Sequence, residues 1–236
     1  MTKDEIMAQL KEMGSARTVK IFEAHGAPAE KMYGVKVGDL KTIVRKVKKK
    51  HILSLELYRT GNSDAMYLAG LIADENKITK ADLQEWVRGA YWYMLTEYTV
   101  AWVAAESRFG WELGLEWIES PDEMTADAGW ATLANFVSIR KDQDLDMNVL
   151  LGLIERVEST LHQAPNRVRY AMNSFLISVG GYVIQYTNRV KQAAQKIGKI
   201  HVNLGKTACE VPSVLEYLQK METKGVIGKK RKMARC

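Results

Sequence analysis

The sequence is poor in the residues that carry most recognisable chemistry. Its 236 residues include two cysteines, Cys209 and Cys236, four histidines and four prolines. Two thiols without metal-type spacing build neither a disulfide framework nor a zinc site, so a reducing cytoplasm is the default compartment. His25, His51, His162 and His201 are scattered and form no HExxH pair, so no metal and no other cofactor is expected. The few prolines, with only 17 glycines, exclude collagenous and linker-dominated chains. GxxxxGK[ST], GxSxG and a GxGxxG after a strand are all missing, as is a Cys/His nucleophile pair. Long apolar runs are scarce too. The longest uncharged stretch, 170–188, is interrupted by Asn173, Ser174, Ser178, Gly180, Gly181 and Gln185, which makes it a poor membrane span. The first residues, Met1-Thr2-Lys3-Asp4-Glu5, lack the basic-then-apolar order of a signal peptide.

What is present is a globular composition, 47% apolar and 26% charged, with the charge unevenly placed. Residues 1–50 carry 12 Lys/Arg against 6 Asp/Glu, and residues 220–236 carry 7 against 1. The rest of the chain is left with 15 against 21, an acidic middle between two basic ends. Such separation points to a polyanionic partner for particular surfaces.

The hydrophobic period is helical almost throughout. Leu40, Ile43, Val44 and Val47 fall at i, i+3, i+4 and i+7, as do Leu150, Leu153, Ile154 and Val157. Thr79 with Asp82 reads as a helix start. Nearly all-apolar segments (65–73, 100–105, 131–139, 171–179) alternate with amphipathic ones (83–90, 111–120, 149–160, 186–199). The first kind needs cover on most sides and the second on one face. Their 30–40 residue recurrence is the period of two-helix solenoid repeats, and an irregular helical bundle fits it as well. An all-α single domain over 1–225 is expected, with a basic tail over 226–236.

Four constellations could carry function. The helix DLKTIVRKVKKK from Asp39 leaves Lys41, Arg45, Lys46, Lys48, Lys49 and Lys50 off its apolar stripe, as phosphate contacts require. The tail cations Lys229, Lys230 and Arg231 fit a nucleic acid, an acidic protein surface or a merely solubilising extension. The run from Tyr91 to Trp102 sets Tyr98 and Trp102 on one helical face beside Glu97; such aromatics stack on bases or simply fill a core. Finally, Asn135 and Asn173 lie in otherwise apolar helices, with Arg167 and Arg169 just before the second.

Tyr33-Gly34-Val35-Lys36-Val37-Gly38-Asp39-Leu40, running into the basic helix, resembles the opening motif of the AlkD-like DNA alkylation repair family. Asp127-Ala128-Gly129-Trp130 opening a buried helix, and the segment from Arg167 to Val179, are similar to that family in order. The resemblance covers roughly residues 15–200, and the part from Gly205 onward looks like an extension carried by one branch. It implies a HEAT-like, armadillo-type solenoid, a curved stack of antiparallel helix pairs whose basic concave face holds duplex DNA. It also implies, in active members, a glycosylase that removes N-alkylated purines by stabilising an oxocarbenium-like charge with a carboxylate. The family's catalytic Trp and Asp fall at Tyr98 and Trp102, its arginine at Leu133 and its second tryptophan at Ser174, with Phe175 adjacent. An indole cannot replace that carboxylate.

The resulting expectation is a DNA-binding HEAT-like protein without conventional glycosylase activity. Its DNA contacts would be Lys41, Arg45, Lys48, Lys49, Arg167, Arg169, Lys229, Lys230 and Arg231, with Tyr98, Trp102 and Phe175 as groove aromatics. The alternatives are an alkylpurine glycosylase using Glu97 or Glu106 as a displaced carboxylate, and a helical scaffold for a protein partner.

Overall fold

The computed structural model describes residues 1–235, and its regular elements are all helical. Helices α1 (Lys3–Met13), α2 (Ala16–Ala24), α3 (Val37–Val47) and α4 (His51–Tyr58) open the chain. They are followed by α5 (Ser63–Ile72), α6 (Lys80–Gly89), and a π-helical stretch (Met94–Val100) that runs directly into α7 (Ala101–Glu106). Then come α8 (Gly110–Trp117), α9 (Glu123–Ile139), α10 (Met147–Thr160), α11 (Asn166–Tyr182), α12 (Thr187–Ile197) and α13 (Val214–Thr223). The expected start at Thr79 is a full capping box: Asp82 N donates to Thr79 Oγ1, and Thr79 N to Asp82 Oδ2. Residues 201–204 form no strand and are an extended connection.

The two kinds of helix take the two layers that their patterning requires. α5, the π–α7 helix, α9 and α11 form an inner row, each packed on the next, and α9 is buried along most of its length. The amphipathic α4, α8 and α12 pack on this row from outside, and α10 packs on α12. α3 seats Leu40, Ile43 and Val47 in the core and turns its cations outward. The architecture is a HEAT-like stack of helix pairs.

The inner helices share one direction, because contacts between neighbours join like ends. At their N-terminal ends, Glu97, Asp127 and Arg167 meet. At their C-terminal ends, the tail bridges Gly70 and Ala73 of the first to Glu106 of the second.

The motif that carries the family resemblance is structural. Gly34 has φ +79°, a left-handed conformation that favours glycine, and its turn aims three successive amides at one buried carboxylate. Tyr33, Gly34 and Val35 N donate to Asp64 at 2.7, 3.1 and 3.0 Å, pinning the N-terminal segment to the start of α5. Burial raises the Asp64 carboxyl pKa, and the three amides hold it back.

The basic run after Gly225 is docked, where a flexible tail is one sequence expectation. Its amides and cations find the carbonyls that the inner helices leave free at their C-terminal ends, where the helix dipole also favours positive charge. Gly228 N donates to Gly181 O of α11 at 2.8 Å, and Lys230 Nζ and Arg231 N donate to Val137 O and Ser138 O of α9 at 2.9 and 2.8 Å. Arg235 Nη1 donates to Gly70 O and Ala73 O, at 3.1 and 2.7 Å. The segment is a strap that runs back across the stack from α11 to α5.

Candidate nucleic-acid interface

The N-terminal edge of the inner row holds a cavity of about 400 Å³. The π-helical stretch supplies Tyr98, with Tyr93 just before it, and α11 supplies Arg167 and Tyr170. His25 and Gly26 after α2 close one side. Asn203, Leu204, Gly205 and Cys209, from the connection between α12 and α13, form the roof. That roof is tied across to the first helices by Lys206 N, which donates to Ala24 O at 2.9 Å. Gly205 makes this approach possible: its φ is +78°, and a Cβ there would lie 2.2 Å from Ala24 O.

Beneath the cavity lies a buried charge cluster. Arg167 pairs with Glu97, with side chains 12% and 8% exposed, and its guanidinium stacks between Tyr93 (4.1 Å) and Tyr170 (4.6 Å). Asp127 is fully buried beside them, hydrogen-bonded to Thr96. Burial pushes the Asp127 carboxyl well above the usual range, and the Glu97 charge pushes it further. Burial also raises Glu97, against the pull of Arg167. Desolvation works to lower the Arg167 pKa, but the Glu97 charge raises it on balance. Thr96 Oγ1 donates to Asp127 Oδ2, which works against the rise of the Asp127 carboxyl. Asp127 Oδ1 is buried with no hydrogen-bond partner, an arrangement that suits a neutral carboxyl and not an ionised one. Tyr93 is pushed up to about 12, mainly by burial, and remains a neutral phenol.

These placements correct several sequence expectations. Glu97 is a buried ion-pair partner, and it does not line the cavity. Glu106 lies at the opposite edge, where it accepts from Ala234 N, Arg235 N and Arg235 Nε at 2.8, 3.0 and 2.7 Å. Neither is an open carboxylate. Trp102 is 4% exposed and packs edge-on against Tyr98 and Tyr67; Phe175 is fully buried against Trp130. Both are core, because they sit on the faces of all-apolar helices that neighbours cover. Of the three expected groove aromatics, Tyr98 alone reaches the cavity, and Tyr93 and Tyr170 join it.

The cations divide in a similar way. Lys41, Arg45 and Lys48 are exposed, with no ion pair among the described residues. Lys49 pairs with Glu75 at 2.6 Å but stays half-exposed. Arg167 is committed to Glu97, and Arg169 Nη1 donates to His201 O at 2.9 Å, holding the roof. Lys230 pairs with Asp142 at 2.7 Å, and Arg231 Nη2 donates to Ala234 O at 2.8 Å, so both serve the strap. Lys229 is exposed. The missed residues are Asp64, Asp127, Tyr93, Tyr170 and Arg235. A signal for Glu97 was present: it is the one charge between Arg88 and Glu106, in a largely buried stretch.

An all-helical stack of paired helices with aligned inner helices defines a HEAT-like repeat protein. More particularly, the chain belongs to the DNA alkylation repair enzyme family, whose family model matches residues 6–206. It is 34% identical over 225 residues to the uncharacterized protein Lin0241 of Listeria innocua, covering 93% of this chain and 97% of that one. It is equally similar to the uncharacterized protein Lmo0209 of Listeria monocytogenes, with the same identity and coverage. A solved structure superposes over 100% of both chains with TM-score 0.90 and 35% identity. That protein is described as one of a new family related to the HEAT-like repeat DNA glycosylases, with affinity for branched DNA structures.

Proposed function

We propose that this protein binds DNA, duplex or branched, through backbone phosphates and does not excise alkylated bases by the conventional route. The observation that supports this most is the engagement of both candidate carboxylates. Glu97 is buried against Arg167, and Glu106 is held by Arg235 and two strap amides. Cleavage of an N-glycosidic bond needs an anion facing the sugar as positive charge develops there. The cavity instead presents an arginine and three neutral phenols. Meanwhile Lys41, Arg45 and Lys48 stand free on and beyond α3, as phosphate contacts require. The free, exposed Cys209 thiol fits a reducing cytoplasm.

The test has two arms on one preparation. Incubation with DNA carrying N3- and N7-methylpurines should release no more base than a heat-killed control. Titration of linear duplex and of three- and four-way junctions at low salt should show binding. Base release abolished by Glu97→Gln would establish the displaced-carboxylate enzyme instead. Absence of binding to every DNA would remove the DNA reading.

A further inference from the structure

A second cleft, of about 650 Å³, lies at the opposite, C-terminal edge of the inner row. One wall is α3, through Lys41 and Arg45; the other is the strap, through Lys232, Met233 and Arg235, and Arg140 after α9 completes it. The sequence placed basic residues at both ends of the chain, and the fold brings them to one site. Six cations line it (Lys41, Arg45, Lys49, Arg140, Lys232, Arg235) against two acids (Glu75, Glu106), a formal excess of four positive charges among the described residues.

The acids do not neutralise the rim. Glu106 is bound by Arg235, which also reaches Glu75 at 2.6 Å, and Glu75 is held again by Lys49. Those interactions use up the buried cation and leave Lys41, Arg45 and Lys232 exposed and unpaired at the rim. Arg140 adds a buried Nε without a partner, its Nη2 being spent on the carbonyls of Ala105, Glu106 and Ser107. Met233 is 56% exposed beside Lys232, an apolar contact of the size that a deoxyribose offers. Lys41 and Arg45 lie one turn apart on α3, about 6 Å along the axis at ~1.5 Å per residue.

We propose that this composite cleft, formed by α3 and the C-terminal strap, is where the protein holds the phosphodiester backbone of DNA; this rests on the DNA-binding reading above. The roofed cavity at the other edge is a poor rival for a double helix. Its 400 Å³ is smaller, and the one Lys or Arg that lines it, Arg167, is already paired with Glu97, so it offers no free cation to a phosphate. The strap is therefore part of the binding surface. Glu106 and Arg235 are positioning residues: they bury the strap's end so that Lys232 stands opposite Lys41 and Arg45.

The experiment compares the full-length wild type with two double variants, each measured on linear duplex and four-way junction across a salt series. Arg45→Glu/Lys232→Glu reverses charge in the cleft, and Lys206→Glu/Arg169→Gln alters the roof of the other cavity. The cleft residues are exposed and unpaired, so the first variant should keep the wild-type thermal midpoint. It should bind DNA about tenfold or more weakly at low salt, with the salt slope reduced by about two. The roof variant should bind as the wild type does. Wild-type binding that the cleft variant leaves unchanged, or that the roof variant alone weakens, overturns the composite cleft and spares the DNA reading. A wild type that binds no DNA fails the DNA reading itself. If the cleft variant unfolds, Lys41→Gln/Lys232→Gln carries the same comparison with a smaller expected loss, about threefold.

Discussion

At the scale of single residues, the Glu97–Asp127–Arg167 cluster makes the sharpest demands. Three ionisable groups are buried together, one arginine with two carboxyls, and charge balances only if one carboxyl keeps its proton. The two partners of the ion pair are therefore not equivalent. Glu97→Gln strands the arginine charge, because Asp127 is neutral and cannot replace the lost carboxylate without ionising in the core. Arg167→Met leaves two carboxyls that can both be neutral. Denaturant unfolding should show Glu97→Gln costing about 3 kcal/mol and Arg167→Met clearly less. The reverse order would mean that Asp127 is ionised. The pH dependence follows in sign. A carboxyl raised in the native state adds no penalty below its unfolded pKa, near ~3.8. Between that value and its native pKa the folded protein holds more protons than the unfolded chain, so stability falls as pH rises. Asp127→Asn removes that group's share. Its unfolding free energy should decline less than the wild type's from pH 5 upward, and parallel curves would refute a protonated Asp127.

At the scale of elements, sequence reading succeeded where the signal was local and failed where the partner was distant. The stripe Leu40, Ile43, Val44 and Val47 states both the existence of α3 and which face is buried, and Thr79 with Asp82 states a helix start. The strap states neither. Lys229-Lys230-Arg231-Lys232 has no apolar period, and the acceptors that hold Arg231, Ala234 and Arg235 (Ser138, Glu106, Gly70 and Ala73) lie roughly 90 to 165 residues away. The acceptors are mostly backbone carbonyls, which any residue type supplies, so no pattern marks them. For the same reason Trp102 and Phe175, which resemble the family's groove positions in order, proved to be core. The strap should be a cooperative unit. Glu106→Gln weakens the anchor of Ala234 and Arg235, while truncation after Gly225 removes every strap contact. Each should lower the thermal midpoint, and combining them should cost no more than truncation alone, because both remove the same interaction. Additive losses would show Glu106 acting outside the strap. Gly205 offers a parallel test at the roof. Gly205→Ala puts a Cβ on Ala24 O at a positive φ, so the Lys206 amide should lose its hydrogen-exchange protection while the inner helices keep theirs.

At the scale of the whole molecule, the net charge of +6 is a poor guide, because many charges away from α3 are already engaged. Arg59 pairs with Glu85, Lys80 with Glu112 and Glu116, Arg156 with Glu119, and Arg189 and Lys196 with Glu158. Arg235, Lys230, Arg167 and Arg169 are spent inside the fold. The free, exposed cations that line the composite cleft are Lys41, Arg45 and Lys232. That small number sets a quantitative expectation. Each neutralised phosphate contributes about −0.9 to the slope of log K against log salt on duplex DNA, so three contacts give about −2.7. Raising salt from about 50 to 200 mM should then weaken binding roughly 40-fold. A slope near −9 would require contacts from a second face, such as arms of a junction gripping both edges of the stack. A slope near zero would mean that the free cations do not meet phosphates at all. The same titration on a four-way junction separates these cases: an unchanged slope with higher affinity points to shape, and a steeper slope to more phosphates held.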